Sequence, residues 1–185
     1  MRFINTNIDG LWIIEPERVV DSRGSFARTF CSDEYAKRGL ETRYVQHSES
    51  ISHSRFTLRG LHYQEPPHAE VKIVSCCRGE IFDVAVDLRP ESRTFMQWRS
   101  VVLSGANGTL FYIPQGFAHG FQALTNDVAV RYMMSAAFEP SSSKGIRYDD
   151  PAIGIEWPEP PTVISERDLS WPLMKCYSDL ATAQA

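Results

Sequence analysis

Long apolar runs are missing: no stretch of the 185 residues approaches the ~20 residues that a membrane-spanning helix needs. The opening Met1-Arg-Phe-Ile-Asn-Thr-Asn7 lacks the apolar core of a secretory signal. No membrane is therefore expected among the partners, and a cytoplasmic location is expected. Cysteine is sparse, with four residues, Cys31, Cys76, Cys77 and Cys176, and no Cys-x-x-Cys spacing. The adjacent Cys76 and Cys77 would point to opposite sides of a strand, so reduced thiols are expected rather than a disulfide framework. Positive charge is not in excess; the formal net charge is −4, which gives no reason to expect nucleic acid. There is no internal repeat and no break in composition. With 43% hydrophobic and 23% charged residues, the chain reads as one globular domain over 1–185, with Ala181–Ala185 frayed.

Helix signal is also scarce. The best case opens at Ser32 as N-cap, carries Asp33 and Glu34 in its first turn and Lys37-Arg38 in its last, and stops at Gly39. Strand signal, by contrast, fills the middle of the chain. Phe82, Val84, Val86 and Leu88 alternate with Asp83, Ala85, Asp87 and Arg89, the period of a half-buried strand. Gly79-Glu80 supplies a turn before it. Further strands are expected at 11–20, 26–30, 97–103, 109–113, 119–123 and 129–134, with turns at 105–108 and 125–127. Many short strands with regular turns predict an all-β fold, a jelly-roll or barrel. The Pro-rich C-terminal third (Pro140, Pro151, Pro158, Pro160, Pro161, Pro172) is expected to wrap it as irregular loops.

Two segments place a histidine beside glycines in strand-like runs: Leu58-Arg-Gly-Leu-His62-Tyr-Gln64 and Pro114-Gln-Gly-Phe-Ala-His119-Gly-Phe121. Histidine in a closed cavity is a natural proton carrier or metal ligand. The run from Gly108 to His119 fits Gly-x5-Pro-x-Gly-x2-His, and so resembles the second signature of the cupin barrels, which are double-stranded β-helices. The first signature of metal-binding cupins, His-x-His followed by Glu, is replaced by His62-Tyr63-Gln64. Glu70 stands too far along, and His68 sits in the loop Pro66-Pro67-His68. Three protein ligands are not assembled, so a pocket without metal or cofactor is expected, with acid–base work for its histidines.

Asp21-Ser-Arg23-Gly24-Ser-Phe26, Leu58–Gln64, Lys72, Gly79–Arg89, Ile113–Phe121, Tyr132 and Ser165-Glu-Arg167-Asp168 occur in one order over nearly the whole chain. Together they resemble the nucleotide-sugar 3,5-epimerases of the dTDP-rhamnose pathway, although each alone has a plainer reading. Lys72 suits a solvent-facing strand position, Tyr132 suits packing, Arg23 suits a turn and Asp168 suits a capping turn. The resemblance implies a cofactor-independent isomerase acting on a nucleotide-diphosphate-linked 4-keto-6-deoxyhexose in deoxysugar biosynthesis. It implies His62 as base, Asp168 as its orienting partner, Tyr132 as acid and Lys72 as enolate stabiliser. It further implies substrate contacts at Arg23, Phe26, Arg28, Gln46, Ser48, Arg59, His119, Phe138 and Arg167, with Arg23 and Arg59 on the diphosphate. A homodimer is implied too, with N-terminal strands exchanged so that Arg23, Phe26 and Arg28 serve the neighbour's site.

Two departures leave the chemistry open. Where the family commonly has a carboxylate, this chain has Arg28, and where an Asn commonly follows the glutamine by two, it has Ser48 after Gln46. A carboxylate accepts from thymine N3–H, whereas arginine only donates and suits cytosine or guanine. The nucleotide is thus open between dTDP and a CDP or GDP carrier. Phe138 replaces a tyrosine carried by many members, which leaves inversion open between C3, C5 or both. The competing classes are a metal-dependent cupin enzyme and a non-catalytic sugar-nucleotide-binding cupin.

Overall fold

The computed structural model describes residues 1–174. The chain forms β1 (Arg2–Asn5), β2 (Trp12–Glu15), β3 (Arg18–Asp21), β4 (Gly24–Ala27), α1 (Ser32–Ala36), β5 (Gln46–Ser52) and β6 (Leu58–Gln64). There follow β7 (Lys72–Arg78), β8 (Glu80–Asp87), β9 (Trp98–Ser104), β10 (Leu110–Ile113), β11 (Phe117–Ala123), β12 (Val128–Met134), β13 (Ser143–Gly145) and α2 (Glu166–Leu169). One sheet has the order β1-β2-β10-β7-β12-β5 and the second β13-β6-β11-β8-β9. All the strand pairs are antiparallel.

Phe111, Ile113, Val74 and Val130 of the first sheet and Ile81, Ala85, Phe117 and Phe121 of the second share one buried cluster. The two sheets therefore close on a common interior, the jelly-roll of a cupin barrel, as the turn-punctuated strands predict. Burial of these apolar side chains, each worth roughly 1.5–3 kcal/mol when complete, holds the sheets together.

Several sequence expectations need correction. The strand expected over 11–20 is split into β2 and β3, because Pro16 between them carries no N–H for the ladder. The strand expected at 26–30 ends at Ala27 and pairs only with β3. Helix α1 starts one residue early: Cys31 occupies the N-cap without a side-chain bond and Ser32 is already helical. Lys37 caps the C-terminal end, so Lys37-Arg38 lie beyond the last turn, and Arg38 Nη1 donates back to the Glu34 carbonyl at 2.8 Å.

Strand β8 is buried on both faces rather than one. Phe82, Val84, Val86 and Leu88 pack under Ile153, Ile155 and Trp157 of the C-terminal segment, while Ile81 and Ala85 point into the barrel with Asp83 between them. Over its described residues the C-terminal segment does wrap the barrel, with only a 3₁₀ turn at Pro140–Ser142, β13 and α2 as regular structure. Strand β5 carries no apolar alternation; of its inward positions Gln46, Ser48 and Ser50 face a pocket instead of a core, and Ser52 is buried behind them. Cys76 is buried and Cys77 exposed, as their adjacency predicts, and both are free thiols, like Cys31. Cys176 and the expected frayed end, Ala181–Ala185, lie outside the described residues. Among the described residues, no helix is long and apolar enough to cross a membrane.

Candidate active site

The strand period decides which side chains enter the barrel. On β6, Leu61 and Tyr63 face the C-terminal wrap, so Gly60, His62 and Gln64 face inward. On β11, Ala118 faces outward while His119 and Phe121 face inward. His62 and His119 are paired directly across the ladder, and just beyond them the register shifts before Phe121. Gly60 makes this irregularity possible. Its φ is +134°, and a Cβ there would lie 2.5 Å from Gly120 Cα, so two glycines let the backbones meet. The buried Gly60 N–H then donates to Asp168 Oδ2 at 3.2 Å.

Asp168 sits on α2, whose N-cap Ser165 accepts from the Asp168 N–H at 3.1 Å. The capping turn expected from Ser165-Glu-Arg-Asp is therefore real, and it also aims the Asp168 carboxylate. Oδ1 lies 2.6 Å from His62 Nε2, with the Asp168 side chain 6% exposed and His62 41% exposed towards the pocket. Burial opposes the ionised form of Asp168, but hydrogen bonding and charge from His62, with the Gly60 N–H, outweigh it and hold the carboxyl below its ordinary value. An ionised Asp168 accepts Nε2–H, which leaves His62 Nδ1 as the ring nitrogen with a lone pair.

A second pair lies beside the first. His119 Nε2 is 2.8 Å from Asp83 Oδ1, with both side chains buried. Asp83 Oδ2 has no hydrogen-bond partner. Burial raises the Asp83 carboxyl above its ordinary value, against the pull of His119 and Lys72. Tyr132, on β12, contacts His119 edge-on with ring centroids 6.0 Å apart. Burial, and then the Asp83 charge, push the Tyr132 phenol well up, against Arg59 and a hydrogen bond from Ser50. Tyr132 therefore keeps its proton at any ordinary pH. Lys72 is not solvent-facing: it forms an ion pair with Glu70 at 2.7 Å, with side-chain exposures of 12% and 5%.

His62, Asp168, His119, Tyr132 and Lys72 line one cavity of ≈ 570 Å³. Of the residues named from the sequence, His62, Tyr132, Asp168, Lys72, Gln46, Ser48, Arg59, His119, Phe138 and Arg167 all border it. Arg59 is braced by β5, donating to Ser52 Oγ at 3.1 Å and to the Ile51 carbonyl at 2.9 Å. Gln46 Oε1 accepts the Phe138 N–H at 2.9 Å and so holds the half-exposed Phe138 ring at the rim. Arg23, Phe26 and Arg28 do not reach it. They lie on or just after the β3–β4 hairpin, where Arg23 pairs with Asp21 at 2.6 Å and Arg28 with Glu34 at 3.4 Å.

The sequence reading missed Asp83, Glu70 and Ser50 as members of the site. Asp83 was hidden by the alternation of β8, which reads it as a solvent-side carboxylate. His68 lies half-buried in its loop and borders none of these groups, although its carbonyl accepts from Gln64 Nε2 at 2.9 Å. Among the described residues, no three His, Cys, Asp or Glu side chains cluster as metal ligands would.

The family model described as dTDP-4-dehydrorhamnose 3,5-epimerase matches residues 5–175. The chain belongs to the dTDP-4-dehydrorhamnose 3,5-epimerase family. It is 49% identical over 174 residues to the dTDP-4-dehydrorhamnose 3,5-epimerase of Methanothermobacter thermautotrophicus, with 92% of each chain covered. A crystal structure of the Legionella pneumophila dTDP-6-deoxy-D-glucose-3,5-epimerase, in complex with dTDP-4-keto-L-rhamnose, superposes with a TM-score of 0.88. Identity there is 42%, covering 93% of this chain and 92% of that one. The dTDP-4-dehydrorhamnose 3-epimerase of Streptomyces niveus is 34% identical over 91% of this chain and 81% of its own. The chain is therefore an isomerase of the dTDP-sugar epimerase type.

Proposed function

We propose that residues 1–185 form one epimerase domain acting on a dTDP-linked 4-keto-6-deoxyhexose. The observation that carries this is the convergence of His62–Asp168, Tyr132 and Lys72 on one cavity. The 4-keto group acidifies the protons at C3 and C5. His62 Nδ1 takes such a proton, the C–H electrons become the C=C of an enolate, and the carbonyl oxygen carries the charge. Asp168 supports the imidazolium as it forms, and Lys72 offers an N–H to the oxyanion. Tyr132 returns a proton to the opposite face, which inverts the centre and leaves a phenolate. Exchange with water then resets His62 and Tyr132.

Arg59 is braced to meet the diphosphate, and Phe138 at the rim suits the nucleotide end. The relatives described above support dTDP as the carrier. Arg28 keeps a CDP or GDP carrier in view, and its ion pair with Glu34 lessens the charge it would bring to a base. The Streptomyces niveus relative, a 3-epimerase by name, gives the Phe138 question its weight: one centre or two.

The hairpin β3–β4 joins neither sheet and exposes Val19, Val20 and Phe26 at 69%, 74% and 75%. We infer that it pairs with a second copy and delivers Arg23, Phe26 and Arg28 to that copy's cavity. Mixing Arg23→Ala with His62→Asn protein tests this: dimers with one intact composite site recover activity, whereas independent sites recover none. The free thiols suit a reducing cytoplasm. The functional test is NMR of dTDP-, CDP- and GDP-linked 4-keto-6-deoxyglucose incubated with the protein. Inversion of the dTDP sugar at C3, C5 or both supports the reading; unchanged configuration with all three carriers overturns it.

A further inference from the structure

An ammonium on a flexible four-carbon stem makes a poor oxyanion donor unless something holds it in place. Lys72 has three N–H donors. One meets Glu70 Oε1 at 2.7 Å and a second donates to the His62 carbonyl at 3.3 Å, which leaves one for a ligand in the cavity. Glu70 is itself held at both oxygens. Its Oε2 accepts from Gln64 Nε2 at 3.0 Å, and Gln64 Oε1 accepts the Glu139 N–H at 2.7 Å, which fixes the way the amide faces. Glu70 does not border the main cavity; it lines a smaller recess of ≈ 190 Å³ beside it, together with Lys72.

We propose that Glu70, oriented by Gln64, is the positioning residue for Lys72, aiming its one uncommitted N–H at the enolate oxygen. This rests on the epimerase reading of the site. Glu70 also supplies the counter-charge that offsets the cost of burying the ammonium. Because the enolate oxygen is charged in the transition state and not in the bound ketone, the loss appears in kcat with little change in KM.

The experiment is a double-mutant cycle of Glu70→Ala and Lys72→Met, read as deuterium incorporation into a dTDP-4-keto-6-deoxyhexose in D2O, with KM and Tm measured alongside. Glu70→Ala lowers kcat about 10- to 100-fold with KM within about 3-fold. The double variant is no slower than Lys72→Met alone, because Glu70 acts only through that side chain. Glu70→Gln keeps an oxygen for Nζ and restores the rate to within about 5-fold of wild type; Glu70→Met, which also removes the acceptor, replaces Glu70→Ala in the cycle if that variant does not fold. Additive losses, a Gln variant as slow as Ala, or a fall in Tm with unchanged kcat overturn the proposal. A wild-type protein that exchanges no deuterium overturns the epimerase reading and this inference together, whereas exchange without coupling overturns this inference alone.

Discussion

Replacing Asp168 by Asn changes one atom and strikes two bonds. In the native site Oδ1 accepts from His62 Nε2 at 2.6 Å while Oδ2 accepts from the Gly60 N–H at 3.2 Å. Both partners donate, and a carboxylate can serve both. An asparagine offers one oxygen and one NH2. If the oxygen stays on His62, the NH2 faces the Gly60 N–H and that buried donor is orphaned. If it turns to Gly60, the NH2 faces His62 Nε2, which then becomes the acceptor, and Nδ1 carries the proton and ceases to be a base. The structural loss is one buried hydrogen bond, about 1–3 kcal/mol, or roughly 2–12 °C of Tm for a chain of this size. The catalytic loss is larger, because the wrong tautomer and the lost support for the imidazolium act together. On the scale of the serine-protease triad, where the same change costs ~10⁴, a fall of about 10²–10⁴ in exchange rate is expected. Deuterium uptake at C3 and C5 by NMR, corrected for folded fraction, is the assay. A variant within about 10-fold of wild type would refute the view that Asp168 sets the His62 tautomer.

Other perturbations separate other parts of the account. Tyr132→Phe removes the proton donor for the opposite face but not the base; inversion falls by more than about 100-fold while deuterium exchange with retention continues, and equal loss of both contradicts the assignment. Gly60→Ala places a Cβ 2.5 Å from Gly120 Cα at a φ of +134°, which is expected to cost about 3 kcal/mol or roughly 6–12 °C of Tm; an unchanged melting curve refutes the close-approach argument. Asp87 is buried and accepts from the Arg89 backbone and guanidinium, Ser92 and Thr94. Burial opposes its ionisation, yet these donors lower its carboxyl from 3.8 to about 2. The stability it contributes, about 2 kcal/mol, is fully present above about pH 4 and is lost as pH falls through about 2. Urea midpoints of wild type and Asp87→Asn should converge over that window, and a constant gap would contradict the linkage.

Much of this was legible in the sequence because the barrel reads out a period of two. The two glycine-rich histidine segments point His62 and His119 to a pocket, whereas Lys72 and Tyr132 enter through the family resemblance alone, since on local pattern Lys72 reads as solvent-facing and Tyr132 as packing. The clearest failures share a physical cause, since polarity in a strand reads as solvent and here it turns to the barrel interior. Ser48, Ser50 and Ser52 gave β5 no apolar stripe. Asp83 looked like the wet side of β8, yet it is fully buried against His119. Glu70 was weighed only as a metal ligand, because nothing in its spacing from Lys72 says that the two side chains meet at 2.7 Å. The break after Glu15 follows from Pro16, a local rule that the longer apolar run of 11–20 obscured. Arg23 and Phe26 carry family likeness without proximity, and Arg28, a departure from the family, lies just as far from the cavity, since no local signal tells whether a hairpin serves its own barrel or another.

The central claim is that His62, set by Asp168, removes a proton next to a 4-keto group and Tyr132 returns one to the other face. Its most direct test is incubation of wild-type and His62→Asn protein with a dTDP-4-keto-6-deoxyhexose in D2O, followed by NMR at each carbon. The account predicts deuterium at C3, at C5 or at both in the wild type, with inversion at the labelled centre, and none above the uncatalysed rate in the variant. Label in the variant at the wild-type rate, or a folded wild-type protein that binds the sugar nucleotide and takes up no label, would contradict it.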